Sequence, residues 1–112
     1  MSLAVLILTY NEEKHITDCI ASAQSVADEI VLIDSDSTDA TVELAKAAGA
    51  RVIVRPMTDG FAAQRNFALS QTTAGWVLYL DADERVTPKL ALALEQLKKA
   101  PVNELTAYAL QR

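Results

Sequence analysis

Apolar residues in this chain gather in short continuous runs separated by stretches of helical periodicity. Leu3 to Leu8 is one such run, and Glu29 to Ile33, Arg51 to Val54 and Trp76 to Leu80 are others. Continuous rather than alternating apolarity marks a parallel strand covered on both faces. Between the runs, Ile16, Cys19, Ile20 and Ala23 recur at helical spacing, and Val42, Ala45 and Ala48 do so ahead of Gly49 at a stop position. Phe61 to Ser70 reads as a third helix. Leu90, Leu94 and Leu97 mark a fourth, started by Thr87 as N-cap with Pro88 in the first turn and ending near Lys98. Asn11 is placed to cap the first helix, with Glu12 and Glu13 in the turn where the helix dipole favours negative charge. Thr106 to Leu110 adds a last short strand.

The predicted order is β-α-β-α-β-α-β-α-β. Such alternation with short connections gives an α/β fold: a mostly parallel open sheet, right-handed crossovers and helices on both faces. Parallel strands bring all their C-terminal ends to one edge. Three of them end in polar or acidic clusters, at Asn11–Glu12, Asp34–Asp39 and Asp81–Glu84. Open α/β sheets bind ligands outside these ends, so the clusters together form a candidate site.

Composition narrows the reading. With 112 residues, 51% hydrophobic, and only three Pro and three Gly, residues 1–112 read as one compact domain with a real core. A net charge of -5 and scattered basic residues exclude a nucleic-acid surface, which needs clustered Lys and Arg. The first apolar run is too short to span a bilayer and has neither the basic leader nor the cleavage site of a signal peptide, so a cytoplasmic protein is expected. The single cysteine, Cys19, cannot make an internal disulfide and falls on the apolar side of its helix as a small buried hydrophobe. His15, with no other His or Cys near it, reads as a surface helix residue.

The strongest chemical signal is Trp76-Val77-Leu78-Tyr79-Leu80-Asp81-Ala82-Asp83-Glu84, a buried strand that stops on three carboxylates. Their mutual repulsion costs stability unless a cation or a basic partner offsets it. Asp81 and Asp83 present hard oxygens suited to a divalent cation and to the phosphates it carries, which reads as a metal–diphosphate site. A pairing with Arg85 or Arg65 is the structural alternative. Asn11 and Asp39 likewise carry a structural reading, as caps and turn formers.

Four stretches taken in order carry a resemblance: Leu6-Ile7-Leu8-Thr9-Tyr10-Asn11-Glu12-Glu13, Ile33-Asp34-Ser35-Asp36-Ser37-Thr38-Asp39, Gly60-Phe61-Ala62-Ala63-Gln64-Arg65-Asn66 and Leu80-Asp81-Ala82-Asp83-Glu84. Their order and spacing resemble the successive motifs of family 2 glycosyltransferases, in wording closest to the branch that includes lipopolysaccharide-core β-glucosyltransferases. The resemblance implies the Rossmann-like nucleotide-diphospho-sugar-binding half of a GT-A fold. It implies that Tyr10, Asn11 and Glu12 line the nucleotide pocket, that Asp34 and Ser35 lie near base and ribose, and that Gln64, Arg65 and Asn66 border the diphosphate or sugar. Asp81 would face ribose and metal, and Asp83 would be the principal ligand of Mg²⁺ or Mn²⁺.

The activity so implied is inverting transfer from a nucleotide-diphospho-sugar, a UDP-sugar foremost, to a glycan or lipid-linked acceptor of the cell envelope, at the inner face of the membrane. In the family the general base and acceptor site lie downstream of Arg112, so a donor-binding portion is expected, with a sheet edge free for self-association. Many members have Pro at the place of Leu8, an acid at Ser35 and Gly at Asp36. Asp is compatible with a left-handed turn at position 36. Two other readings stay open: a non-catalytic nucleotide-sugar-binding module, and a haloacid-type phosphotransferase with Asp81 as nucleophile.

Overall fold

The structure, a computed structural model, describes residues 1–99. It contains β1 (Leu3–Thr9), α1 (Ile16–Ala23), β2 (Glu29–Asp34), α2 (Thr41–Ala47), β3 (Arg51–Val54), α3 (Phe61–Ser70), β4 (Trp76–Asp81) and α4 (Pro88–Lys98). The strand predicted at Thr106–Leu110 lies outside the described residues. The four strands form one sheet in the order β3-β2-β1-β4, every neighbouring pair parallel. The expected α/β architecture is borne out.

Strand order explains where the helices lie. The chain steps from β1 to β2 to β3 in one direction, then jumps back past β1 to place β4 on the other side. With crossovers of constant right hand, reversing the direction moves the connecting helix to the opposite face. Accordingly, α1, α2 and α4 bury Ile16, Cys19, Ile20, Ala45 and Leu94 against Leu3, Val5, Ile7, Leu78 and Leu80. Helix α3 packs Ala68 and Phe67 against Ala4, Leu6, Val31 and Ile33 on the other face. β1 lies between β2 and β4 and is buried along nearly its whole length, whereas β3, at an edge, is not.

One expectation fails. Helix α1 starts at Ile16 rather than directly after Asn11, with a turn over residues 13–15 between them. Asn11 adopts φ +52° and turns its side-chain carbonyl across to accept from Thr38 N at 2.8 Å. A partner on the neighbouring loop outcompetes the local cap. Thr87 does cap α4, accepting from Leu90 N at 3.1 Å, with Pro88 behind it. Asp36 takes φ +67°, as its residue type allows.

The N-terminal edge of the sheet is tied down by Asp28. Its carboxylate accepts from Leu3 N at 2.8 Å and pairs with Lys98 Nζ at 3.2 Å, joining β1 to the end of α4. The Leu3 amide first, with Lys98 assisting, holds the Asp28 carboxyl below its ordinary value of 3.8. A depressed acid stabilises the fold above its unfolded value, and that stabilisation disappears as pH falls through the folded value. Asp28→Asn is therefore expected to lower the urea midpoint at pH 7 and to reduce the loss of stability below about pH 4. Identical pH profiles for the two proteins would contradict this role.

Candidate functional site at the C-terminal rim

Strand register brings the acidic clusters together. Thr9 pairs with Asp34 across β1 and β2, and Leu8 pairs with Asp81 across β1 and β4. Asp34 and Asp81 thus end strands two positions apart, roughly 10 Å at ordinary strand spacing. Between β1 and β4 the strand order reverses, and there a cleft of about 350 Å³ opens, lined by Leu6, Leu8, Phe61, Arg65, Tyr79, Leu80 and Asp81. A reversal point at the carboxyl ends is where open α/β sheets take ligands.

One wall of the rim is rigid because two loops are laced together. Asp34 is fully buried and accepts from Thr9 Oγ1 at 2.7 Å, Ser37 N at 2.7 Å and Ser37 Oγ at 2.6 Å. Three donors offset the cost of burying a carboxylate. Ser37 Oγ in turn accepts from Asn11 N at 2.8 Å, and Thr41 Oγ1 from Glu12 N at 2.8 Å. Asp39 accepts from Glu13 N at 3.2 Å and from both the amide and the hydroxyl of Thr41. Burial raises the Asp39 pKa, but these donors outweigh it and hold the carboxyl below its ordinary value. Every backbone amide from Asn11 to Glu13 therefore ends on a side chain of the second loop or of Thr41 at the start of α2, and Tyr10 is left 55% exposed at the lip.

The other wall is the turn after β4. Ala82 is buried while Asp81 and Asp83 are exposed, so the small residue anchors the turn and the two acids face outward. Glu84 closes it, its amide donating to Asp81 O at 2.9 Å and its carboxylate accepting from Asp81 N at 2.8 Å. Arg85 donates to the carbonyls of Ala82 at 3.1 Å and Glu84 at 2.9 Å. Helix α1 supports the turn from below, with Cys19 Sγ 3.6 Å from Asp81 O and Ser22 Oγ accepting from Val86 N at 3.0 Å.

Cys19 also reports the local field. Burial pushes its thiol up, Arg85 lowers it, and Asp83, Asp81 and Glu12 raise it again, to about 11.

The site residues expected from sequence are not equivalent in space. Arg65 and Asp81 share the cleft, and Tyr10, Asn11 and Glu12 stand on the adjoining rim. Gln64 is fully buried and turned the other way, accepting from Arg55 at 2.6 Å and donating to Arg55 O at 2.6 Å and Ser35 Oγ at 3.4 Å. Asn66 is exposed and does not line the cleft. Three consecutive helical residues point in three directions, so one of them reaching the cleft is what helix geometry permits. Thr9, Ser37, Thr41, Phe61 and Tyr79 were not singled out from sequence. Only Tyr79 carried a readable signal, since a residue two before Asp81 leaves a strand on the same face.

Comparison with known proteins decides the family. The sequence profile of Glycosyl transferase family 2 matches residues 4–105. The chain belongs to glycosyltransferase family 2. Among its relatives, an uncharacterized glycosyltransferase of Rickettsia typhi is 40% identical over 95 residues, 85% of this chain and 32% of the relative. The lipopolysaccharide core biosynthesis glycosyltransferase LpsC of Rhizobium meliloti is 36% identical, covering 100% of this chain and 42% of LpsC. Glucosyl-3-phosphoglycerate synthase from Mycobacterium tuberculosis, solved with Mn²⁺, UDP and glucosyl-3-phosphoglycerate, superposes with a TM-score of 0.65 at 29% identity, over 72% of this chain and 33% of the synthase. This family 2 chain thus spans about a third of the length of the first of these relatives.

Two outcomes test the rim itself. Asp34→Ala strands the Thr9 and Ser37 donors in a buried place and is expected to cost about 1–3 kcal/mol in urea denaturation; an unchanged midpoint would show that the loops hold without it. Cys19 is expected to resist iodoacetamide at pH 8 in the native protein and to react readily in urea, measured by mass spectrometry. Rapid native labelling would place the thiol elsewhere.

Proposed function

We propose that the chain is the donor-binding portion, residues 1–112, of a metal-dependent inverting glycosyltransferase that takes its sugar from a nucleotide-diphospho-sugar, a UDP-sugar foremost. One observation carries this reading: an arginine and a carboxylate turn meet at the β1/β4 reversal point of a parallel sheet, beside a rim of laced backbone. We assign the nucleotide sugar to Tyr10, Asn11, Glu12, Asp34, Ser35, Gln64, Arg65 and Asp81; Asn66, exposed outside the cleft, drops from the set that the sequence suggested. Asp34 and Gln64 contribute from buried positions, through the groups they hold in place.

The residues fit a divalent cation such as Mg²⁺ or Mn²⁺ at Asp81 and Asp83. Both offer hard, exposed oxygens in a field made negative by Glu12 as well. Among the described residues no group of three or more His, Cys, Asp or Glu is gathered to hold a metal. Mg²⁺ typically takes one or two carboxylates and completes its shell with substrate phosphates and water, so a partial protein set suits it. When bound, the cation supplies neutralisation of charge on the departing nucleoside diphosphate. The synthase of similar fold, solved with UDP and either Mn²⁺ or Mg²⁺, supports this.

The chain's own residues bind and orient the donor. We assign the general base and acceptor pocket to the part of the relatives' length that this chain does not span. Similarity to LpsC supports an envelope glycan or lipid-linked acceptor, and with it a cytoplasmic site at the inner face of the membrane. Among the described residues no helix is long and apolar enough to cross one.

Calorimetric titration with UDP and with UDP-glucose is expected to give binding in Mn²⁺ and none in EDTA, with Asp83→Ala abolishing the signal. Equal binding with and without metal would overturn the metal assignment. Binding by a longer chain that never transfers sugar to any acceptor would favour a non-catalytic module.

A further inference from the structure

Arg65 differs from the other described arginines. Arg51 donates to Gln71 O, Arg85 to the carbonyls of Ala82 and Glu84, and Arg55 to Gln64 Oε1 and Asp59. Each of these three therefore has N–H groups bonded to the protein. Arg65 instead lays its guanidinium over the Tyr79 ring, 4.3 Å from the centroid, and among the described residues it makes no ion pair. Stacking uses the face of the guanidinium and leaves its in-plane N–H fork presented to an outside acceptor. Arg55, also over a ring at 4.9 Å from the Phe67 centroid, shows the contrast, because its fork is occupied.

Tyr79 stands two residues before Asp81 on β4, so both leave the same face of the strand and both line the cleft that Arg65 enters from α3. A free arginine carries rotamer entropy that binding must overcome. A ring that holds the guanidinium beforehand removes part of that cost and fixes which way the fork points.

We propose that Tyr79 is a positioning residue: its ring holds Arg65 flat in the cleft so that the guanidinium fork meets the diphosphate of the donor on the side opposite Asp81. This rests on the donor-site reading above. A planar fork engages two phosphate oxygens at once, which a lysine at the same place would not do.

The test compares the chain with its Tyr79→Phe, Tyr79→Leu, Arg65→Gln and Arg65→Gln/Tyr79→Leu variants, titrated with UDP and with uridine in Mn²⁺. Tyr79→Phe keeps the ring and is expected to bind UDP within about twofold of the parent. Tyr79→Leu is expected to weaken UDP by about 3- to 30-fold, the range from an exposed to a desolvated cation–π contact, with uridine unchanged. In the Arg65→Gln background the leucine substitution is expected to cost nothing more. Unchanged UDP affinity in folded Tyr79→Leu, equal losses for UDP and uridine, or a further loss in the double variant would each overturn the proposal. A second readout needs no nucleotide: the Arg65 Cδ protons should be shifted upfield by the Tyr79 ring current in the parent and in Tyr79→Phe. UDP binding with unshifted Arg65 protons overturns the positioning role alone. Shifted protons with no UDP binding under any metal condition overturn the donor-site reading, and this proposal with it.

Discussion

A fully buried carboxylate, Asp34, holds the rim of this sheet in one shape. A charge in that position is tolerated only because the end of β1 and the loop after β2 both turn donors onto it, Thr9 from one side and Ser37 from the other. The consequence travels outward. Ser37, fixed by Asp34, receives the amide of Asn11, and Asn11 at φ +52° returns its side chain to Thr38. The ends of two strands become one surface, with the oxygens of Asp34, Ser37, Asp39 and Thr41 engaged internally and Tyr10 left at the lip.

Against this stiff wall the turn after β4 is built on a different principle. Its three acids are not alike: Glu84 folds back to take the Asp81 amide, and the Arg85 guanidinium reaches carbonyls within the turn. Glu84 therefore shapes the turn from inside, and Asp81 and Asp83 are the exposed pair. The Cys19 thiol lies beneath this turn, its Sγ 3.6 Å from the Asp81 carbonyl. In the proposed function, a diphosphate with its cation would join these walls, since the anion suits the arginine and the cation suits the acids.

The family match and the geometry answer separate questions. Family 2 membership comes from residues 4–105 taken together. The division of labour within the site comes from burial: Gln64 and Asp34 face inward, Asn66 faces solvent, and Arg65 enters the cleft. Helix α3 achieves this by rotation alone, each step of one residue changing what the side chain meets.

Apolar runs, helical periodicity and the Thr87-Pro88 start were enough to define all eight described elements, because parallel strands and their covering helices are specified by local pattern. The acidic strand ends were legible for the same reason, whereas the left-handed turn at Asp36 was suggested only by the resemblance, many members having Gly there. Partnerships between distant residues were not. Asn11 capping Thr38 instead of α1, Ser37 joining Asp34 to the Asn11 amide, and the stacking of Arg65 on Tyr79 each depend on residues 14 to 27 positions apart. Their meeting is fixed by strand order, which sets β2 on one side of β1 and β4 on the other. The sequence by itself determined which chemical groups stand at the rim; tertiary structure decided which of them line the cleft and which are used up in holding the others still.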